Sequence, residues 1–324
     1  MASAQIQHRG CSRPLQRVVT DFAADVPFAR AMDKVVEHYG VLLNESTIRR
    51  ITEGHAQRIF THTSLTESWP TQLGSDTVIV EMDGGMVPLV EPDEHSTDRR
   101  KNKRLRWQEA KLSLAHAKGS TALTFGGTLQ GDVDCAGRHL FACARGAGFG
   151  QDSHVHAVGD GAEWISAQVE TRFGAQSEYL VDFYHVCEYL SAARDAIVAE
   201  PERAAWMAEQ KARLKTKRAP ELIALLKTHL EAEPIADEHA PVRRCHRYLS
   251  HRLHQLDYQS ALANDLPIGS GEIESAHRYI VQARLKRPGA WWRVANAEHM
   301  LALRLNRANR QWSSYWATYD KQAA

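Results

Sequence analysis

Three acidic residues stand where their carboxylates can converge. Asp83 ends an alternating run, with Val78, Val80 and Met82 on one face and Glu81 and Asp83 on the other, and Gly84-Gly85 follow it. Asp160 comes after the apolar run Val155 to Gly159 and is followed by Gly161. Glu274 lies one turn past Gly269-Ser270-Gly271, in a stretch of helical period. Two carboxylates at the ends of neighbouring strands and a third on a covering helix can meet at one point. The adjacent glycines are expected to leave room for a backbone or a phosphate. Clustered carboxylates repel one another unless cations sit among them, so the chemistry expected is a divalent site with oxygen ligands, for Mg²⁺ or Mn²⁺. Two ions about 3.5–4 Å apart can activate an attacking oxygen and stabilise a leaving one in phosphodiester chemistry.

Taken singly, an Asp-Gly after a strand reads first as a turn. Glu272 competes with Glu274, but an N-cap at Ser270 would put Glu272 in the first turn, where the helix dipole alone favours an acid. Glu274 is therefore the better ligand. Asp182 and His185 form a second feature at a strand-to-helix junction. His185 has three readings: a contact to a scissile phosphate or flipped DNA, a partner to Asp160, or a satisfied structural histidine. Trp164 reads as core. Trp291 and Trp292, after Pro288-Gly289, suit either a wedge into distorted DNA or packing against helices.

The elements that must position these residues follow from period and punctuation. Residues 14–60 read as helical, with a break at Gly40 and a second helix capped by Ser46. Arg49 and Arg50 would lie near the start of that helix, as in a helix-turn-helix reader of DNA. Strands are expected at Thr77 to Asp83, Trp107 to Ala115, Ala122 to Leu129, Val155 to Gly159 and Tyr179 to Phe183. Helices are expected at Cys135 to Ala144, Ala162 to Phe173 and from His185 onward. This order gives an α/β fold, with an antiparallel hairpin set followed by right-handed crossovers, the wiring of a ribonuclease-H-like mixed sheet. From Ala192 to Leu262 the period is helical, with Leu222, Leu225, Leu226 and Leu230 on one face and prolines 201, 220, 234 and 241 as dividers. The expected organisation is therefore a helical N-terminal DNA-binding segment (1–74), a first core part (75–191), an all-helical insertion (192–265) and C-terminal core helices carrying Glu274 (266–324).

Bulk properties bound the function without naming it. The 324 residues are 43% hydrophobic and 24% charged, ordinary for a folded globular chain, and no apolar run reaches membrane-spanning length. Residues 1–17 lack an apolar signal core, so a cytoplasmic, nucleoid-associated protein is expected. Five cysteines without a C-x-x-C pair argue against a disulfide framework and a cysteine-rich zinc module. The 17 histidines are scattered, and no H-E-x-x-H is present. Net charge is only +1, but basic residues cluster: Arg99, Arg100, Lys101, Lys103, Arg104 and Arg106, then Lys211 to Arg218, then Arg278 to Arg293. Patches of this kind are what a surface that tracks DNA requires, although each alone also reads as a solvated face.

With these residues in place, the chain resembles the DDE transposases of bacterial insertion sequences, in the branch related to Mutator-like elements. The resemblance runs from about Leu15 to Trp316. It is densest at Glu81-Met82-Asp83-Gly84, at Val158-Gly159-Asp160-Gly161-Ala162-Glu163-Trp164-Ile165, at Asp182-Phe183-Tyr184-His185 and at Gly269-Ser270-Gly271-Glu272-Ile273-Glu274. The separations suit that family: 160 − 83 = 77 residues, then 274 − 160 = 114, the second gap holding the helical insertion. The resemblance implies a ribonuclease-H-like core, catalytic Asp83, Asp160 and Glu274, and a D-x-x-H signature in Asp182 and His185. Members of the family often carry a longer N-terminal region, sometimes with cysteine pairs; Cys11 stands alone here, so a short or truncated copy is expected.

The implied activity is metal-dependent cleavage at the ends of an element and strand transfer into target DNA. Arg99 to Arg106, Arg284, Lys286 and Arg287 would hold phosphates, the N-terminal helices would read terminal inverted repeats, and a homo-oligomer would pair two ends. Three rivals remain: a structure-specific nuclease without strand transfer, a domesticated or defective DNA-binding regulator, and, more distantly, a glycosidase using an Asp/Glu pair.

Overall fold

The computed structural model describes residues 6–7, 10–65, 67–92 and 103–322. Two short strands, β1 (Ile6–Gln7) and β2 (Cys11–Ser12), pair antiparallel ahead of three helices, α1 (Arg13–Asp25), α2 (Phe28–Tyr39) and α3 (Glu45–His62). Gly40, at φ 62°, ends α2 in the left-handed conformation that glycine adopts without strain. Asn44, not the expected Ser46, caps α3: its side chain accepts the Thr47 amide at 2.8 Å, and Ser46 lies inside the first turn. Val19, Ala23, Val35, Ile48 and Ile51 close a small core among the three helices.

The scaffold beneath the acidic residues is a mixed α/β layer. Its five strands are β3 (Thr77–Pro92), β4 (Lys103–Ala117), β5 (Thr124–Thr128), β6 (His154–Gly159) and β7 (Ser177–Val181), in the spatial order β5-β4-β3-β6-β7. The first three strands are antiparallel, and β6 and β7 run parallel to β3. Helices α4 (Val133–Gly146) and α5 (Glu163–Phe173) cover one face, over Val78, Val80 and Met82. The other face carries Ala110, Leu112 and Leu114 against the C-terminal helices.

Asp83 does not close a strand, as the sequence suggests. β3 runs nine residues further as a long hairpin with β4, in which Gly84 pairs with Lys111 and Gly85 with Ala110. What ends at that level is β6, the parallel neighbour.

Beyond β7 comes α6 (Phe183–Ile197) and then the helical stretch, with α7 (Arg203–Lys215), α8 (Ala219–Lys227), α9 (Pro241–His251) and α10 (Tyr258–Ala263). Pro220 and Pro241 sit in first turns, where a missing amide hydrogen costs nothing, so they start helices rather than break them. Leu222 and Leu226 are buried in this subdomain's core with Leu190, Leu214 and Leu249, while Leu230 lies beyond α8 and is exposed. The chain returns through α11 (Gly271–Ala276), a π-helical turn at His277–Gln282, α12 (Ala283–Leu285), α13 (Val294–Ala308) and α14 (Trp312–Gln322). Helix α13 packs on α3 and so ties the N-terminal helices to the sheet. All five cysteines are free, and no helix among the described residues is long and apolar enough to cross a membrane.

Candidate active site

The register of the parallel pair explains the first acidic spacing. Glu81 lies beside Val158, an offset of 158 − 81 = 77, so two residues on Asp83 is level with Asp160 just past the end of β6. Glu81 and Asp83 project to the same side of β3, beneath α11. Burial pushes the Asp83 carboxyl above its ordinary range; His277 and the Gly84 amide pull it back, and the charges of Asp160 and Glu274 push it up again. Glu274 is exposed on α11, with its amide donating to Ser270 at 3.3 Å.

The glycines next to Asp83 serve a different purpose from the one expected. The space beside Gly84 is filled by the Glu109 carboxylate, and a Cβ on Gly85 would come within 2.6 Å of His277 Nδ1. The room is taken by protein, not left for a phosphate. His277 is a site residue that sequence reasoning missed. Its ring is buried, and its Nε2 lies 3.2 Å from the Asp83 carbonyl and 3.5 Å from Asp83 Oδ2. The signal was available, because His277 stands three residues after Glu274 on the same helix. The π-helical turn begins at His277, a distortion that is frequent at functional positions.

Glu81 was also missed. It is 2% exposed, and its carboxyl accepts the Ile273 amide at 2.8 Å. Burial pushes its pKa up to about 8, with the charges of Glu272, Asp182 and Glu274 adding to the rise. Glu272, assigned above to the helix dipole, has its Oε2 3.2 Å from His116 Nε2.

Asp160 sits in a tightly bonded turn. Its Oδ1 accepts the Ala162 amide at 2.8 Å, the Gly161 amide donates to Tyr179 Oη at 3.0 Å, and the Tyr248 hydroxyl donates to the Asp160 carbonyl at 2.6 Å. Asp182 is a structural clasp. One carboxylate oxygen caps α6 through the amides of Tyr184 (2.6 Å) and His185 (3.0 Å). The other accepts both the amide and the hydroxyl of Ser270 at 2.6 Å. The Ser270 hydroxyl is therefore engaged with Asp182 and does not cap α11 as expected. His185 does not bond Asp160; its Nδ1 faces Glu188 at 3.5 Å, and its ring meets Tyr189 and Tyr248 edge-on.

The basic residues divide. Arg99, Arg100 and Lys101 lie outside the described residues. Lys103, Arg104 and Arg106 are exposed on β4, with Arg106 paired to Glu91 at 3.3 Å and Lys103 5.8 Å from the Trp291 ring centre. Lys286 and Arg287 are exposed after α12, and Arg49 is exposed and Arg50 half-buried on α3. Arg284 is a correction to the expected phosphate contacts. It is buried between the rings of Phe28 and Trp292, and its Nε donates to the Ala23 carbonyl at 3.0 Å. Burial holds its pKa down at about 10. The two tryptophans also divide, since Trp292 is core and Trp291 is 60% exposed. Trp164 packs against the core beneath α4 and α5, as expected.

The donor types, three carboxylates, suit a hard divalent cation. Among the described residues, however, no three His, Cys, Asp or Glu side chains are grouped so that they could hold an ion as they stand. No known family model matches the chain, and no curated protein matches it.

Proposed function

We propose that this chain is a DDE transposase that cleaves the ends of an insertion sequence and joins them to target DNA, using divalent metal. The observation that carries the reading is that Asp83 and Asp160 lie level on two parallel strands, with Glu274 on the helix that covers them. Support for a ribonuclease-H-like core comes from the strand order, with the antiparallel trio continued by two parallel strands.

Asp83, Asp160 and Glu274 would hold Mg²⁺ or Mn²⁺, which supplies Lewis acidity toward a phosphate oxygen and a more acidic water or 3′-hydroxyl. The chain's own residues do the rest. His277 and the Gly84 amide orient Asp83, and the turn at Gly161 and Ala162 orients Asp160. Lys103, Arg104, Arg106, Lys286 and Arg287 are the described cations placed to neutralise backbone phosphates. Arg49 and Arg50 on α3 suit the helix-turn-helix reading of the N-terminal helices, which would recognise terminal inverted repeats. Pairing of two ends calls for a homo-oligomer.

The test is Mn²⁺ calorimetry together with nicking and target joining of supercoiled plasmid, for wild type, Asp83→Asn, Asp160→Asn and Glu274→Gln. Loss of Mn²⁺ binding and of nicking in each variant is expected. Equal binding in all four proteins overturns the reading. A DNA-binding regulator is the second reading, favoured by the absence of a ready metal clasp among the described residues; metal-independent DNA binding without nicking would establish it.

A further inference from the structure

The helical stretch between β7 and α11 does more than fill the gap between the second and third acids. Its helix α9 reaches the turn that carries Asp160. The Tyr248 hydroxyl donates to the Asp160 carbonyl at 2.6 Å, and Arg252 Nε donates to the next carbonyl, Gly161, at 2.8 Å. The two side chains brace each other, with the Arg252 guanidinium 4.3 Å from the Tyr248 ring centre. Tyr248 is in turn stacked on Tyr189 of α6, centroids 4.1 Å apart and planes 12° apart, with His185 edge-on to both rings. Gly161 takes φ 85°, and a Cβ there would lie 2.6 Å from the Tyr248 hydroxyl and 2.8 Å from Arg252 Nε. The glycine is therefore what admits the two side chains to the backbone.

The hydrogen bonds around the turn show what these side chains accomplish. The Gly161 amide goes to Tyr179, the Ala162 amide to Asp160 Oδ1, and the two carbonyls to Tyr248 and Arg252. The peptide planes on either side of the Gly161 Cα, the first of them directly following Asp160, are held from both the sheet and the helical stretch. One carboxylate oxygen is committed within the turn, which fixes the orientation of the group.

We propose that Tyr248 and Arg252 are positioning residues, through which the helical stretch clamps the Asp160 turn and sets the aim of its carboxylate. The inference rests on the metal-dependent reading above. It gives the D-x-x-H histidine a place as well: His185 braces the Tyr189–Tyr248 stack and acts on Asp160 only through it. A buried hydrogen bond between neutral groups is worth about a five- to tenfold effect on an equilibrium. An effect of that size is expected on metal affinity, and a larger one on rate, where small misplacements of reacting groups cost more.

The experiment uses the full chain with Tyr248→Phe, Arg252→Leu, Arg252→Lys and Asp160→Asn. Four quantities are read: Mn²⁺ affinity by calorimetry, plasmid nicking rate, affinity for a fluorescent DNA duplex without metal, and urea midpoint. Tyr248→Phe keeps the ring stack and removes one hydroxyl. The expected result is Mn²⁺ binding weakened about five- to tenfold and nicking slowed at least as much, with duplex affinity unchanged. Arg252→Leu should behave alike, and Arg252→Lys, which keeps a donor, should recover part of the loss. A purely structural role would shift the urea midpoint and leave the ratio of metal to duplex affinity alone. If Tyr248→Phe and Arg252→Leu bind Mn²⁺ and nick as wild type while Asp160→Asn loses both, the clamp is wrong and the metal reading stands. If Asp160→Asn also retains both, the metal reading falls and the clamp falls with it.

Discussion

The carboxyl group of Glu81, buried on β3, accepts the amide hydrogen of Ile273 at 2.8 Å, joining strand to helix across 192 residues of sequence. The first amides of a helix have no intrahelical acceptor, and here a strand side chain supplies one. The bond sets the height of α11 above the sheet, and with it the position of Glu274 one residue further along.

Replacing Glu81 by alanine leaves the Ile273 amide buried without an acceptor and opens a void. A loss of about 2–4 kcal/mol is expected from those two effects together. Glu81→Gln keeps an acceptor of the same reach, and with the Glu81 pKa raised to about 8 the native group is mostly neutral at pH 7. The glutamine variant should therefore stay within about 1 kcal/mol of wild type. Urea unfolding of the two variants checks this, and equal losses in both would mean that the hydrogen bond is not what matters.

This strand also shows what could and could not be read ahead of the structure. The alternation of Val78, Val80 and Met82 is local, and it correctly located β3 and its two faces. Its length was hidden, because Gly84-Gly85 signals a turn, and the reason for glycine here is the Glu109 and His277 side chains that arrive from distant segments. The same limit applies to Arg284, whose composition reads as surface until Phe28 and Trp292 enclose it. Asp83 and Asp160 were singled out from local pattern, an acid before glycine at the end of an apolar run, whereas the register that puts them level on a parallel pair is tertiary and could not be read locally. The cap at Asn44 went unread because Asn44 and Ser46 are both good caps, and only tertiary packing chooses where the first turn begins.

The two glycines predict unequal penalties. A methyl at Gly85 meets the His277 ring at 2.6 Å, and that ring is 4% exposed and held against Asp83 on the sheet. Gly85→Ala should cost about 1–3 kcal/mol through overpacking and should displace His277 from Asp83. At Gly84 the obstacle is the far end of Glu109, a side chain with solvent beside it that can rotate away. Gly84→Ala should be milder by at least about 1 kcal/mol, read as the difference in urea midpoints. A larger loss at Gly84 than at Gly85 would contradict the packing described.

A pH effect is expected from His139, on α4 beside Gly126 of β5. Burial, reinforced by the charge of Arg138, lowers its pKa from 6.5 to about 4. Between those values the unfolded chain binds a proton that the folded chain does not. Stability is therefore complete above about pH 6.5 and falls as the pH drops toward 4, by about 3 kcal/mol at most. Other histidines with lowered pKa values, such as His156 and His299, slope the same way, so the quantity to measure is the difference between wild type and His139→Gln. That difference should grow through this window and be flat above it; a difference independent of pH would rule out His139 as the source.

Arg284, Lys286 and Arg287 belong to one basic cluster in the sequence, and the structure gives them opposite surroundings, the first buried and the other two exposed. Arg284 is 3% exposed, with its guanidinium 4.9 Å from the Phe28 ring centre and 4.7 Å from that of Trp292. Arg284→Ala removes both stacking partners and the bond to Ala23, and should cost about 2–4 kcal/mol of stability. Lys286 and Arg287 are exposed, so their alanine variants should keep stability within about 0.5 kcal/mol. On DNA the order should reverse. Removing one cation from a backbone phosphate lowers the slope of log affinity against log salt by about 0.9, and such a change is expected for Lys286→Ala and Arg287→Ala alone. Arg284→Lys is the control, because it keeps the charge but not the planar stack, and so should lose stability without changing the salt slope. A reduced slope for a stably folded Arg284→Ala protein would instead put that guanidinium on the DNA and contradict its burial between α1 and Trp292.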